Sequence, residues 1–134
     1  MNRIMAAGTQ VAAIRDVMTV QVIAVEPSTS VAAGVTIMGM ERVGALLVME
    51  SDKLEGIFTE RDLVRALSYD IGASSQAVAQ WMTRDPITVG PETPVERALE
   101  IMLAGNFRHL PVVEGERVVG VVSIRDLSRA TLRE

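Results

Sequence analysis

Gly56-Ile57-Phe58-Thr59-Glu60-Arg61-Asp62 returns later in the chain as Gly120-Val121-Val122-Ser123-Ile124-Arg125-Asp126. In both copies an apolar run ends in a hydroxyl residue, and an Asp follows three positions on. The offset is 64 residues, from Asp62 to Asp126, and it extends outward in both directions without a gap. Val17-Met18-Thr19 matches Trp81-Met82-Thr83, and Pro27-Ser28-Thr29-Ser30-Val31 matches Pro91-Glu92-Thr93-Pro94-Val95. When residues 17–70 are set against 81–134, 18 of 54 positions are identical. Self-similarity at a fixed period marks a duplicated structural unit.

Each copy reads the same way. A Met-Thr turn leads to a short β-branched strand, Val22 to Val25 and Ile87 to Val89. A Pro-containing turn follows, then an amphipathic helix, Val31 to about Met40 and Val95 to about Ala104. In the second helix Val95, Leu99, Met102 and Leu103 recur at helical spacing, and Thr29-Ser30 and Thr93-Pro94 supply N-cap and first-turn chemistry. Two hairpins come next: Ala45–Met49 with Leu54–Phe58, and Leu110–Val113 with Arg117–Val122. Ser51-Asp52-Lys53 and Glu114-Gly115-Glu116 are their turns. A last helix covers Glu60–Leu67 and Ile124–Leu132. The expected fold class is therefore α+β, with two β-α-β-β-α units. A unit this small leaves one sheet face uncovered, so two copies are expected to pack with pseudo-two-fold symmetry and a cleft along their junction. The expected organisation is an N-terminal segment 1–16, units 17–70 and 81–134, and a linker 71–80. Val11 to Val17 is expected to form a short helix on the first unit, and Gln76 to Trp81 another.

Composition limits the function. The chain has 134 residues, 49% of them hydrophobic but only 3% aromatic, so its core must be aliphatic, with eight methionines filling gaps. The net charge is -4 and no basic run is present, which argues against nucleic acid as a partner. There is no cysteine, so disulfides, thiol catalysis and Cys-based metal sites are excluded. No apolar stretch approaches a membrane span, and the start lacks the apolar run of a secretory signal. No membrane partner and a cytoplasmic location are expected. His109 is the sole histidine, so a Ser-His-Asp triad repeated in both units is excluded. Glu26, Glu50 and Glu114 are scattered rather than paired for acid–base work.

Two readings fit the Gly-x-x-Thr/Ser-x-x-Asp motif. Ser or Thr followed three residues later by an acid is a helix-capping pattern, and an acid in the first turn suits the helix dipole. Alternatively, a short carboxylate beside a helix N-terminus can accept two hydrogen bonds from a vicinal diol, with the hydroxyl and free N–H groups meeting ribose or phosphate. The retained Gly lets something approach the strand backbone closely.

With these motifs go Met18-Thr19, Met82-Thr83 and His109-Leu110-Pro111-Val112-Val113. Together they resemble the tandem cystathionine β-synthase (CBS) domain pair, or Bateman module, over about residues 12–134. The resemblance implies that Asp62 and Asp126 hold the ribose of AMP, ATP, NAD-type or S-adenosyl ligands. It implies that Thr59 and Ser123 contact ribose or phosphate. Backbone from Thr19 to Ile23 and from Thr83 to Ile87 would read the adenine edge. In nucleotide-binding members a His-Arg pair contacts phosphate at the place of Arg108-His109, here in reversed order, which moves the guanidinium fork. The first repeat has Gly44-Ala45 there, so Val43 and Gly44 would flank a ligand held at Asp126, and the two sites should be unequal. Arg61 and Arg125 fit either surface ion pairs or phosphate contacts. Trp81 and Phe107 fit the core or a dimer interface better than base stacking.

The expected function is a regulatory module sensing adenine nucleotides, requiring no cofactor and carrying no catalytic or metal-binding residues. A homodimer and an unidentified regulated protein are its expected partners. The alternatives are a structural dimerisation module with empty clefts, and a small enzyme, for which no nucleophile–base pair or Walker-type loop is found.

Overall fold

A computed structural model describes residues 13–132. The chain divides into two compact units. The first is Val22–Pro86; the second, among the described residues, combines 87–132 with 13–21.

In the first unit the elements are β1 (Ala24–Val25), α1 (Val31–Glu41), β2 (Ala45–Glu50), β3 (Lys53–Thr59), α2 (Glu60–Tyr69) and β4 (Thr83–Arg84). Its sheet has the order β1-β2-β3-β4. β1 runs parallel to β2, and the other pairs are antiparallel. The second unit repeats this with α3 (Val95–Gly105), β5 (His109–Glu114), β6 (Arg117–Ser123) and α4 (Ile124–Leu132). Single bridges stand where the outer strands would be: Val89 with Val112 in parallel, and Thr19 with Val121 antiparallel. These are the repeat counterparts of Val25 with Val48 and Thr83 with Ile57. Both expected hairpins, both pairs of helices and the α+β class are thus present.

The same positions are buried in the two units because the same residues recur. α1 buries Val31, Gly34 and Met38; α3 buries Val95, Ala98 and Met102. Against α1 lie Leu46, Val48 and Phe58; against α3 lie Leu110, Val112 and Val122. Both helices end in a left-handed residue, Arg42 and Asn106. Asn adopts that conformation more readily than Arg. Two expectations on these helices change. Leu103 is exposed, because Ala98 rather than Leu103 completes the inward face. Ser30 caps α1 by accepting from Ala33 N, but Pro94 holds the cap position of α3. Thr93 instead closes the preceding turn by accepting from Gly90 N at 3.1 Å.

The segments ahead of each repeat are structural parts of the units. Residues 71–80 form two 3-10 turns, Ile71–Ser75 and Val78–Gln80, and both Ala73 and Val78 are completely buried in the first unit. Of the helix expected over 11–17, residues 11 and 12 lie outside the described residues. Ile14–Asp16 is a 3-10 turn, and it packs in the second unit, not the first. The reason is that Ile14 is the repeat counterpart of Val78: it fills the same cavity against Val95, Met102 and Leu110. The backbone agrees, since Ile14 N donates to Thr93 O at 2.9 Å.

Candidate functional site

The strand-to-helix junctions β3–α2 and β6–α4 hold the repeated motif. Thr59 is the N-cap of α2, and Asp62 Oδ2 accepts from Thr59 N at 2.9 Å and from its hydroxyl at 3.1 Å. In return Asp62 N donates to Thr59 Oγ1 at 3.2 Å. Ser123 and Asp126 repeat the arrangement at 3.1, 2.9 and 3.1 Å. Both copies are therefore capping boxes, and both use only one carboxylate oxygen for capping.

The second oxygen separates them. Asp62 Oδ1 accepts from Arg65 Nη2 at 3.3 Å and lies 3.5 Å from Thr83 Oγ1. Among the described residues Asp62 is the one buried charged group, only 5% exposed. Asp126 is half-buried, and its Oδ1 accepts no hydrogen bond among the described residues.

The glycines have a clear occupant. A Cβ built on Gly56 would stand 2.6 Å from Thr83 O and 2.7 Å from Met82 Sδ. On Gly120 it would stand 2.8 Å from Thr19 O and 2.9 Å from Met18 Sδ. The close approach expected at this Gly is made by the chain's own Met-Thr segment, which seals each strand edge.

Each unit gathers six of the twelve candidate residues. Gly44 O accepts from Glu60 N at 3.1 Å, which ties Val43-Gly44 to the start of α2 beside Thr59 and Asp62. Thr83 joins them through β4, and Ile23 lies alongside β2, its carbonyl accepting from Leu47 N. In the second unit Arg108 O accepts from Ile124 N at 2.8 Å, and His109 pairs with Ser123 across the hairpin. Arg108-His109 thus stands beside Ser123 and Asp126. Thr19 pairs with β6, and Ile87 is half-exposed ahead of the Val89 bridge. The spans 19–23 and 83–87, read from sequence as continuous, are each divided between the units: Thr19 goes with Ile87, and Thr83 with Ile23.

Arg61 and Arg125 are exposed on α2 and α4. Phe107 packs on the second core. Trp81 packs on the first core, with Arg65 Cζ 5.5 Å from its ring centroid and Tyr69 6.1 Å away. Arg65 carried no motif signal beyond its recurrence as Arg129 and was not singled out from sequence. Among the described residues no cluster of three or more His, Asp or Glu side chains could hold a metal, and no helix is long and apolar enough to cross a membrane.

Two α+β units with paired junctions of this kind define a tandem repeat module, and comparison with known proteins gives the class its name. The CBS domain profile matches residues 14–69 and 78–133, and the chain belongs to that family. Its starting points, 14 and 78, coincide with the Ile14–Val78 equivalence. An uncharacterised 17.7 kDa protein of Acidianus ambivalens is 39% identical over 122 residues, spanning 89% of this chain and 73% of that protein. The crystal structure of the CBS-domain protein ATU1752 from Agrobacterium tumefaciens is similar with a TM-score of 0.88 at 30% identity, covering 95% of this chain and 98% of that one. CBSX2, solved in complex with AMP, matches with a TM-score of 0.77 at 29% identity over 90% of this chain and 96% of its own. The CBS domain pair of protein MJ0100, solved with 5′-methylthioadenosine and S-adenosyl-L-methionine, matches at 0.83 and 27% identity over the same shares.

Proposed function

We propose that this chain is a regulatory, non-catalytic module that binds an adenosine-type nucleotide and passes its occupancy to a partner protein. The ribose diol rests on Asp126, with Ser123 beside it, and the phosphates turn toward Arg108 and His109. Thr19 and Ile87 border the adenine. Asp62, Thr59, Thr83 and Ile23 are the corresponding set in the first unit; Val43 and Gly44, which the family resemblance sets against a ligand held at Asp126, stand beside Thr59 and Asp62 in this unit. AMP, ATP, NAD and S-adenosyl compounds share the diol and remain the ligand class.

The observation that carries this reading is the open Asp126 Oδ1, in a unit that also presents an exposed guanidinium and an imidazole beside Ser123. Support in kind comes from the complexes of CBSX2 with AMP and of MJ0100 with 5′-methylthioadenosine and S-adenosyl-L-methionine. The test is native mass spectrometry of freshly purified protein, followed by calorimetric titration with AMP, ATP, NAD and S-adenosyl-L-methionine. Binding at a defined stoichiometry is expected; no association with any of the four ligands overturns the proposal.

A second reading, a structural dimerisation module without ligand, is favoured by one observation: both Asp residues already have a structural task as capping residues. The same titration separates the two. Incubation with ATP or NAD and a search for products tests the enzymatic alternative.

A further inference from the structure

We infer that Arg65 is an internal occupant of the Asp62 carboxylate, so that a nucleotide meets Asp126 directly but reaches Asp62 only by displacing Arg65. This rests on the proposed role of the Asp pair as ribose acceptors.

Both carboxylate oxygens of Asp62 are engaged: Oδ2 accepts from Thr59 N and Oγ1, Oδ1 accepts from Arg65, and Thr83 Oγ1 stands 3.5 Å from Oδ1 on its remaining side. A diol needs an open carboxylate edge to donate two hydrogen bonds. The same Arg65 Nη2 donates to Trp81 O at 2.6 Å, a much shorter contact than the 3.3 Å to Asp62. Its guanidinium also lies over the Trp81 ring at 5.5 Å, within cation–π range. Trp81 therefore fixes where the guanidinium sits, and Asp62 receives it. The indole is itself held, with Nε1 donating to Gln76 Oε1 at 2.8 Å and Tyr69 alongside.

The second unit has the same arginine but not the same seat. Arg129 is the repeat counterpart of Arg65, and Val17 that of Trp81. Valine offers no π-face. Among the described residues Arg129 forms neither a hydrogen bond nor an ion pair with Asp126. The backbone carbonyl is common to Trp81 and Val17, so the aromatic ring is the part of the Arg65 seat that the second unit lacks, and this difference is independent of the Arg108-His109 pair.

AMP titration of the full chain, by calorimetry and native mass spectrometry, tests this with the variants Arg65→Met and Trp81→Val, the latter placing the Val17 residue type in the first repeat. Wild type should take one AMP tightly and a second at least about tenfold more weakly. Both variants should tighten the weak site about tenfold, the scale of one charged hydrogen bond, and leave the tight site unchanged. Arg65 is about half-exposed, so its variant should fold; Trp81→Val supplies an independent route, and melting temperatures check both. Two equal sites in wild type overturn the role of Arg65 while leaving the proposed function standing. Unchanged or weaker second-site binding in both variants does the same. If wild type and variants alike refuse AMP, the titration is repeated with ATP, NAD and S-adenosyl-L-methionine; refusal of all four overturns the proposed function, and this inference with it.

Discussion

The carbonyl oxygen of Thr19 lies 2.8 Å from where a Cβ on Gly120 would stand, and Thr83 stands in the same relation to Gly56 at 2.6 Å. Both neighbours are backbone atoms held by pairing to the adjacent strand, Thr83 in β4 and Thr19 in a single bridge, and cannot turn aside as a flexible side chain can. Gly120→Ala and Gly56→Ala should therefore each destabilise the protein by about 1–3 kcal/mol, the usual scale of overpacking. Gly39 is the control: it lies within α1 with nothing within 4 Å of its Cβ position. Gly39→Ala should stabilise by about 0.5–1 kcal/mol. Urea unfolding of the three variants checks the contrast, and equal effects at Gly39 and Gly120 would contradict it.

Membership of residues 13–21 in the second unit makes a separate prediction. Ile14 is completely buried against Val95, Met102 and Leu110. Ile14→Ala should cost about 2–5 kcal/mol, from lost transfer energy and the cavity left behind. Hydrogen exchange should then accelerate in 87–132 more than in 22–86. Acceleration confined to 22–86 would mean that this segment belongs with the first unit.

The repeat made most of this fold legible. Once Asp62 and Asp126 are matched, both hairpins, both pairs of helices and the caps at Ser30, Thr59 and Ser123 follow from turn residues and apolar spacing, while the cap of α3 falls on Pro94 rather than Thr93. What the repeat could not show is which copy each Met-Thr segment pairs with. Met18-Thr19 and Met82-Thr83 are identical, and so are Gly56 and Gly120, so either pairing satisfies the same contacts. Chain connectivity and packing choose, and the sequence holds no local mark of the choice. The Arg65 contact was hidden for a different reason. It depends on Trp81, 16 residues away, while its counterpart Arg129 looks identical in sequence and only the distant Val17 holds the Trp81 position of the second unit. The repeat itself marks Thr59, Asp62, Ser123 and Asp126 as candidates, and the family resemblance supplies the other candidate residues; the split of 19–23 and 83–87 between units had no sequence signal.

Self-association is expected through the helices. Met40 on α1 is 75% exposed and Val64 on α2 is 67% exposed, both large apolar groups open to water. Exposed apolar side chains on these helices are the groups a second copy would bury, and we expect a homodimer. Light scattering at micromolar concentration should give twice the chain mass, with Val64→Glu shifted toward monomer. A monomeric wild type would count against dimerisation.

Arg108 divides nucleotides from nucleosides. Its backbone is fixed by the bond from Ile124 N, while its side chain is exposed and available to a phosphate. Arg108→Ala should weaken AMP by about 1.5–3 kcal/mol, the value of a charged hydrogen bond, and hardly change adenosine. Equal losses for both ligands would make Arg108 a structural residue.

Asp126→Asn separates capping from ligand binding, because the two oxygens have different tasks. Oδ2 accepts from Ser123 N and Oγ, while Oδ1 accepts nothing among the described residues. An Asn can keep its carbonyl oxygen at the capping position. Its NH2 group then points where the ribose hydroxyls would donate, and donor meets donor. Stability of the ligand-free protein should fall by only about 1 kcal/mol or less, since Asn and Asp are comparable at helix N-termini. Affinity for AMP should fall by about 1.5–3 kcal/mol, roughly ten- to a hundredfold. Wild type should prefer AMP over its 2′-deoxy analogue by a similar factor, because the analogue lacks one of the two donors. The variant should lose that preference, having no carboxylate edge to report it. Calorimetry with both ligands on both proteins gives the four affinities needed, and thermal melts of the free proteins give the stability change. If wild type binds ribo- and deoxyribonucleotide equally, the diol is not what Asp126 holds, and capping alone accounts for the residue.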